Sequence, residues 1–157
     1  MIKLLGFLFP FALLLGNETF FLLPDDQSRM LAFLSESLRK SDDPVLVATP
    51  RLHLPELNKL LVKAARNGSR VTLLLSDPQG DPLNLIQYRG IELLLYRARP
   101  MEGSVLLIGK RSVCTFPIPL VSEAAESEAA LVRCSEEASE ARKALIPLLR
   151  RSRPYLE

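Results

Sequence analysis

His53 is the one imidazole in the chain, and therefore the side chain best placed to exchange a proton near neutral pH. It stands between the apolar run Val45-Leu46-Val47 and Pro55, which opens a helix. Ligands of open α/β sheets commonly bind at that carboxyl end of a strand, which makes His53 a weak candidate for base or nucleophile. The plainer alternative is a loop histidine hydrogen-bonded beside a helix start, since no acidic or nucleophilic neighbour in the sequence marks it for catalysis. A zinc site is not expected: the two cysteines lie far from His53 and form no C-x-x-C pair. Neither a metal nor a cofactor is implied.

Four cations form a second set. Arg97 and Arg99 follow a strand end, and Lys110-Arg111 occupies a hairpin turn. Were they to converge, they could hold a phosphate through charge-assisted forks. A hairpin tip points away from its strand entrance, however, so a site shared by all four is not the expectation. Arg150, Arg151 and Arg153 favour the dipole at the end of the last helix. Gly103 to Arg111 superficially resembles a phosphate loop. It has five residues between the glycines instead of four, Arg after the Lys, and a strand as its spacer. A phosphate loop needs a nest of backbone N–H groups before a helix, so this match is spurious. No G-x-S-x-G elbow and no G-x-G-x-x-G fingerprint occurs.

The elements that must position these residues alternate between strand and helix. Thr19 to Leu23 is an apolar run, and Asp25-Asp26 is placed to cap a helix carrying Met30, Leu31, Leu34 and Leu38. Pro44 to Ala48 reads as a strand. Pro55 opens a helix with Leu57, Leu60, Leu61 and Ala64 on one stripe, closed by Asn67-Gly68. Val71 to Leu75 and Ile91 to Tyr96 are strands, separated by a turn cluster and a short helix that Gly90 stops. Val105 to Ile108 and Ser112 to Phe116 make a hairpin about Gly109-Lys110-Arg111. Ser122 to Glu128 reads as a mobile connector, Ala129 to Arg133 as a final strand, and Ser135 to Arg151 as an amphipathic helix kinked at Pro147.

Strands that are apolar at consecutive positions suit a sheet covered on both faces. The expected fold is therefore α/β, with a mixed, largely buried sheet flanked by helices on both faces. Early βαβα order predicts parallel pairing, and the later hairpin an antiparallel part. Cys114 and Cys134 lie on the last two strands, where they form either a disulfide or two buried thiols.

The chain has 157 residues, 48% of them apolar, and a formal charge of +2 from 20 basic and 18 acidic residues. This composition supports one domain with a proper core and argues against disorder. So little net charge argues against nucleic-acid binding by bulk electrostatics, while leaving room for a local basic patch. Residues 1–16 read as an export signal, with Lys3 before the apolar run 4–15. Gly16 offers a cut site, but Leu14 fits the position three residues before the cut poorly, so an uncleaved anchor through 4–15 competes with cleavage. Residues 17–157 then form a single domain, periplasmic or secreted, in a compartment where thiols can oxidise.

The body resembles a single-copy phospholipase D-like domain of the kind found in small secreted endonucleases that work as homodimers. The matching stretches include Phe20 to Asp26, Val45 to Pro50, Leu54 to Leu61, Ala64 to Val71, Leu73 to Asp77, Gly90 to Leu93 and Ala130 to Leu149. The resemblance implies a phospholipase D-like sandwich. It also implies a catalytic motif of histidine, any residue, lysine, four residues and aspartate after the Gly-Ile strand. Here Glu102 stands at the histidine position, Ser104 at the lysine and Gly109 at the aspartate. The family reaction passes through a phosphohistidine, and a carboxylate would repel an anionic phosphodiester as well as attack it poorly. The expectation is a catalytically inactive domain that acts by binding or by assembly. Its expected partners are a second copy, an intact relative, nucleic acid or anionic lipid. The alternative is a phosphodiesterase of phospholipase D or endonuclease type working through His53. A membrane-tethered structural domain is a third reading, should the leader be retained.

Overall fold

The computed structural model describes residues 18–40 and 43–156. The expected leader, residues 1–16, lies outside them. Eight strands form one sheet in the order β1-β9-β7-β6-β2-β4-β5-β10. They are β1 (Thr19–Leu23), β2 (Val45–Thr49), β4 (Val71–Leu75), β5 (Ile91–Leu95), β6 (Ser104–Ile108), β7 (Ser112–Phe116), β9 (Ala130–Ser135) and β10 (Arg153–Pro154). A separate two-stranded ladder joins β3 (Leu52–His53) to β8 (Leu120–Val121). The helices are α1 (Gln27–Arg39), α2 (Pro55–Arg66), α3 (Asp81–Leu85), α4 (Ser122–Ser127) and α5 (Ser139–Arg150). None of them is long and apolar enough to cross a membrane.

Alternation along the central strands sorts the core into two layers. Val45, Val47, Leu73, Leu93 and Leu106 face Met30, Leu34 and Leu38 of α1 and Leu57, Leu61 and Ala64 of α2. Ala48, Leu74 and Leu107 face the opposite way, under Ala138 and Leu145 beside α5. The sheet is thus covered on both faces, as its consecutive apolar residues predict. Parallel pairing of β2 with β4 and of β4 with β5 also follows the βαβα expectation. The other pairs of the eight-stranded sheet are antiparallel, whereas β3 and β8 pair in parallel.

Several local expectations need correction. The first strand does not lie beside the second: β9, β7 and β6 separate them, and β1 is an edge strand paired with β9. Asp26 does not cap α1 through its side chain. Its carboxylate instead accepts the Leu22 N–H at 2.9 Å and the Arg29 guanidinium at 3.1 Å, closing the turn after β1. The segment 122–128 is not a mobile connector. Ala124 and Ala125 are buried, and that contact holds Ser122–Ser127 as helix α4 despite its polar composition. Arg153 belongs to β10, opposite Leu95, and not to the end of α5.

Antiparallel pairing of β7 with β9 sets Cys114 directly opposite Cys134, and the two form a disulfide with a Cα–Cα distance of 4.0 Å. The bridge closes a loop containing α4, so its removal enlarges the unfolded ensemble. Reduction is expected to lower stability by about 3 kcal/mol. Urea unfolding with and without dithiothreitol measures it; an unchanged midpoint contradicts the bridge.

Candidate functional site

β2, β4 and β5 run in the same direction and end in register at Thr49, Leu75 and Leu95. β6 is antiparallel to β2, so its first residue, Ser104, lies at the same edge. Topology thereby gathers Thr49, Arg51, His53, Asp77, Arg97, Arg99, Glu102 and Ser104 at the carboxyl edge of the parallel strands. The Pro50 carbonyl accepts the Ser76 and Asp77 N–H groups at 3.2 and 3.0 Å, fastening the ends of β2 and β4 together.

Position 104 is built as structure. Ser104 is only 3% exposed, and its hydroxyl proton is shared between Thr49 Oγ1 at 2.8 Å and the Ile118 carbonyl at 2.7 Å. Thr49 Oγ1 donates to the Arg51 carbonyl at 2.9 Å and accepts the Leu120 N–H at 3.0 Å. Two buried hydroxyls therefore tie β2, β6 and the 118–120 segment into one knot. An unpaired polar group at this depth would cost about 1–3 kcal/mol.

The neighbouring positions are constrained as well. A Cβ at Gly103 would meet the Phe116 carbonyl oxygen at 2.6 Å. Glu102, just before it, is exposed. Gly109 has φ +63°, and a Cβ there would lie 2.8 Å from Asp43 Oδ2. A carboxylate at 109 would thus meet both a left-handed backbone and the Asp43 carboxylate.

The cation set divides as the hairpin geometry predicts. Arg97 and Arg99 follow β5 at the carboxyl edge. Lys110 and Arg111 sit beyond Ile108, which pairs with Val45 at the other end of β2. One strand length, roughly 13 Å, separates the pairs, so the four do not form one site.

Sequence order hides the partner of His53. Its Nδ1 lies 3.0 Å from Asp81 Oδ2, and Asn58 Nδ2 donates to the same oxygen at 2.6 Å. A carboxylate accepting from Nδ1–H leaves Nε2 with the free lone pair. Asp81 lies 28 positions away in the Asp-Pro-Gln-Gly-Asp-Pro turn cluster, and only the packing of α3 beside β3 joins them. The His53 side chain remains 61% exposed, which gives it no dry cavity. Among the described residues, no group of three or more His, Cys, Asp or Glu could hold a metal ion.

No protein-family model matches this sequence, and no curated protein matches it. Solved structures do share its fold. NucT from Helicobacter pylori superposes with TM-score 0.76 at 14% identity, covering 88% of this chain and 98% of that one. The phospholipase D family member Nuc from Salmonella typhimurium gives 0.74 at 16% identity, covering 89% and 98%. TrmBL2, described as an archaeal chromatin protein with a novel mode of DNA binding, gives 0.64 at 15% identity, covering 96% of this chain and 59% of that one. The architecture is therefore the phospholipase D-like sandwich.

The knot at Ser104 makes an energetic prediction. Ser104→Ala is expected to cost about 1–3 kcal/mol, because it leaves buried acceptors without their donor. Ser104→Lys is expected to cost more, since it forces an ammonium into that space. Chemical denaturation reads both. A lysine variant as stable as the parent contradicts the assignment of position 104 to structure.

Proposed function

We propose that the protein is an exported, catalytically inactive member of the phospholipase D-like superfamily that acts by assembly and binding. The observation that carries this reading is the state of position 104. Where the family motif places a phosphate-binding lysine, this chain has a buried hydroxyl engaged by Thr49 and Ile118. Glu102 at the nucleophile position and Gly109 at the acid position agree with it. The likeness to NucT and Nuc spans nearly all of each of those chains, which suits a single-copy domain.

Two-fold association of the carboxyl edges would set the exposed Glu102 of one protomer against that of its partner, with the buried Ser104 holding the edge from behind. The motif surface then serves as an interface, closed by a second copy or by an intact relative. Binding of nucleic acid or anionic lipid belongs to the same reading; TrmBL2, 59% of which this chain covers, is described as showing a novel mode of DNA binding. The site of action is the periplasm or the medium, reached through residues 1–16.

Light scattering tests the assembly: the purified chain is expected to be a dimer. Glu102→Arg reverses a charge at the interface and is expected to change its dissociation constant about tenfold or more. Lys143→Glu, on α5, leaves it unchanged. A monomer, or a dimer indifferent to position 102, contradicts the reading.

The His53–Asp81 contact favours a second reading, a phosphodiesterase using the carboxylate-oriented imidazole. It predicts turnover of a generic phosphodiester or of DNA, abolished in His53→Ala and reduced about 100-fold or more in Asp81→Asn. Absence of turnover in the parent chain, or activity that survives His53→Ala, removes it.

A further inference from the structure

The near-neutral charge of the chain conceals a strongly uneven distribution. α2 buries Leu57, Leu61, Ala64 and Ala65. Lys59, Lys63 and Arg66 fall on its outer side, at i, i+4 and i+7. They line an open groove of about 760 Å³ between α2 and α3, together with Val62, Asn84 and Tyr88. A second groove of about 540 Å³ continues from it, sharing Arg66 and Tyr88 and adding Arg70 and Arg89. Five cations therefore follow one concave track, from the flank of α2 to the starts of β4 and β5.

These cations are not held by carboxylates. None of the five belongs to any of the ion pairs among the described residues. Asp81, the acid that lines the groove, is engaged by His53 and Asn58. Arg66 instead rests its guanidinium 5.4 Å over the Tyr88 ring centre, a cation–π contact that fixes it within the track. The Tyr88 ring remains 39% exposed. From Lys59 to Arg66 the helix rises about 10 Å, matching roughly three phosphates of one strand at ~3.4 Å each.

We infer that this track seats a single strand of nucleic acid, bound by its phosphates and by stacking of a base on Tyr88. Concavity and an exposed ring suit a flexible strand, whereas a flat bilayer would reach only the rims of the grooves. The surface is separate from the carboxyl-edge residues Glu102 and Ser104. It binds without cleavage and does not depend on the proposed dimer.

Fluorescence polarisation of a labelled 20-nucleotide oligothymidine, titrated with the full chain between 50 and 200 mM salt, tests this. With five phosphates neutralised, log K should fall against log salt with a slope near about −3.5, roughly a hundredfold over that range. The triple variant Lys59→Gln, Lys63→Gln, Arg66→Gln should reduce the slope by about 2. The triple Lys143→Gln, Arg150→Gln, Arg151→Gln, which removes the same charge around α5, should leave it unchanged. Tyr88→Ala keeps every charge and should weaken oligothymidine binding about tenfold, while binding of inorganic polyphosphate stays within about twofold. Equal losses in the two triple variants overturn the proposal. So does indifference to Tyr88→Ala combined with competition by phosphatidylglycerol vesicles, a result that would assign the track to a membrane. Light scattering of the same variants reads the dimer separately, so failure here is distinguishable from failure of the assembly.

Discussion

A hydroxyl buried at the mouth of a sheet must find partners inside the protein, and at position 104 it does. Ser104 lies where β6 enters the sheet opposite the end of β2, beneath the 118–120 segment. At 3% exposure it cannot face solvent or a substrate without first breaking its bonds to Thr49 and Ile118. Those bonds in turn set Thr49 to receive the Leu120 N–H, which helps place β8 beside β3 and so fixes the short strand that bears His53. One buried hydroxyl pair thus organises much of the edge at which ligands of open α/β sheets are usually found.

That constraint gives the edge its character. Gly103 is held against the Phe116 carbonyl, and Gly109 leaves its side-chain space to Asp43. A short side chain at 104 and no side chain at 103 or 109 are each demanded by neighbours. The region is an internal joint, with Glu102 as its exposed tip. His53 belongs to a different arrangement, anchored through Asp81 to α3 and open to solvent. The cations of α2 form yet another, spread along a helix flank.

Much of the fold was legible because binary patterning is a strong signal. Consecutive apolar residues in Val45–Thr49 and Val71–Leu75 demanded burial on both faces, and α1 and α5 supply it. The hairpin at Gly109 and the helix stop at Asn67-Gly68 followed from turn chemistry, with φ +63° and +102° at the two glycines. Long-range order was harder to read. Nothing local indicates that β1, near the start of the sequence, pairs with β9 near its end. Ser122–Ser127 lacks an apolar stripe long enough to announce a helix, since two alanines suffice once β8 and β9 bracket it. The site shows the same divide. Glu102, Ser104 and Gly109 could be compared with a motif by counting, whereas the Asp81 partner of His53 and the Thr49 partner of Ser104 exist only through folding. The groove cations have a signal in their i, i+4, i+7 spacing, but it means little until α3 supplies the opposite wall.

An inactive domain of the kind proposed forms no phosphoryl-enzyme intermediate. Intact-mass spectrometry of the pure chain, quenched within milliseconds of mixing with a reactive phosphodiester, decides the matter. The unmodified mass is expected at every time point. A transient phosphoryl adduct, above all one mapped to His53, would contradict it.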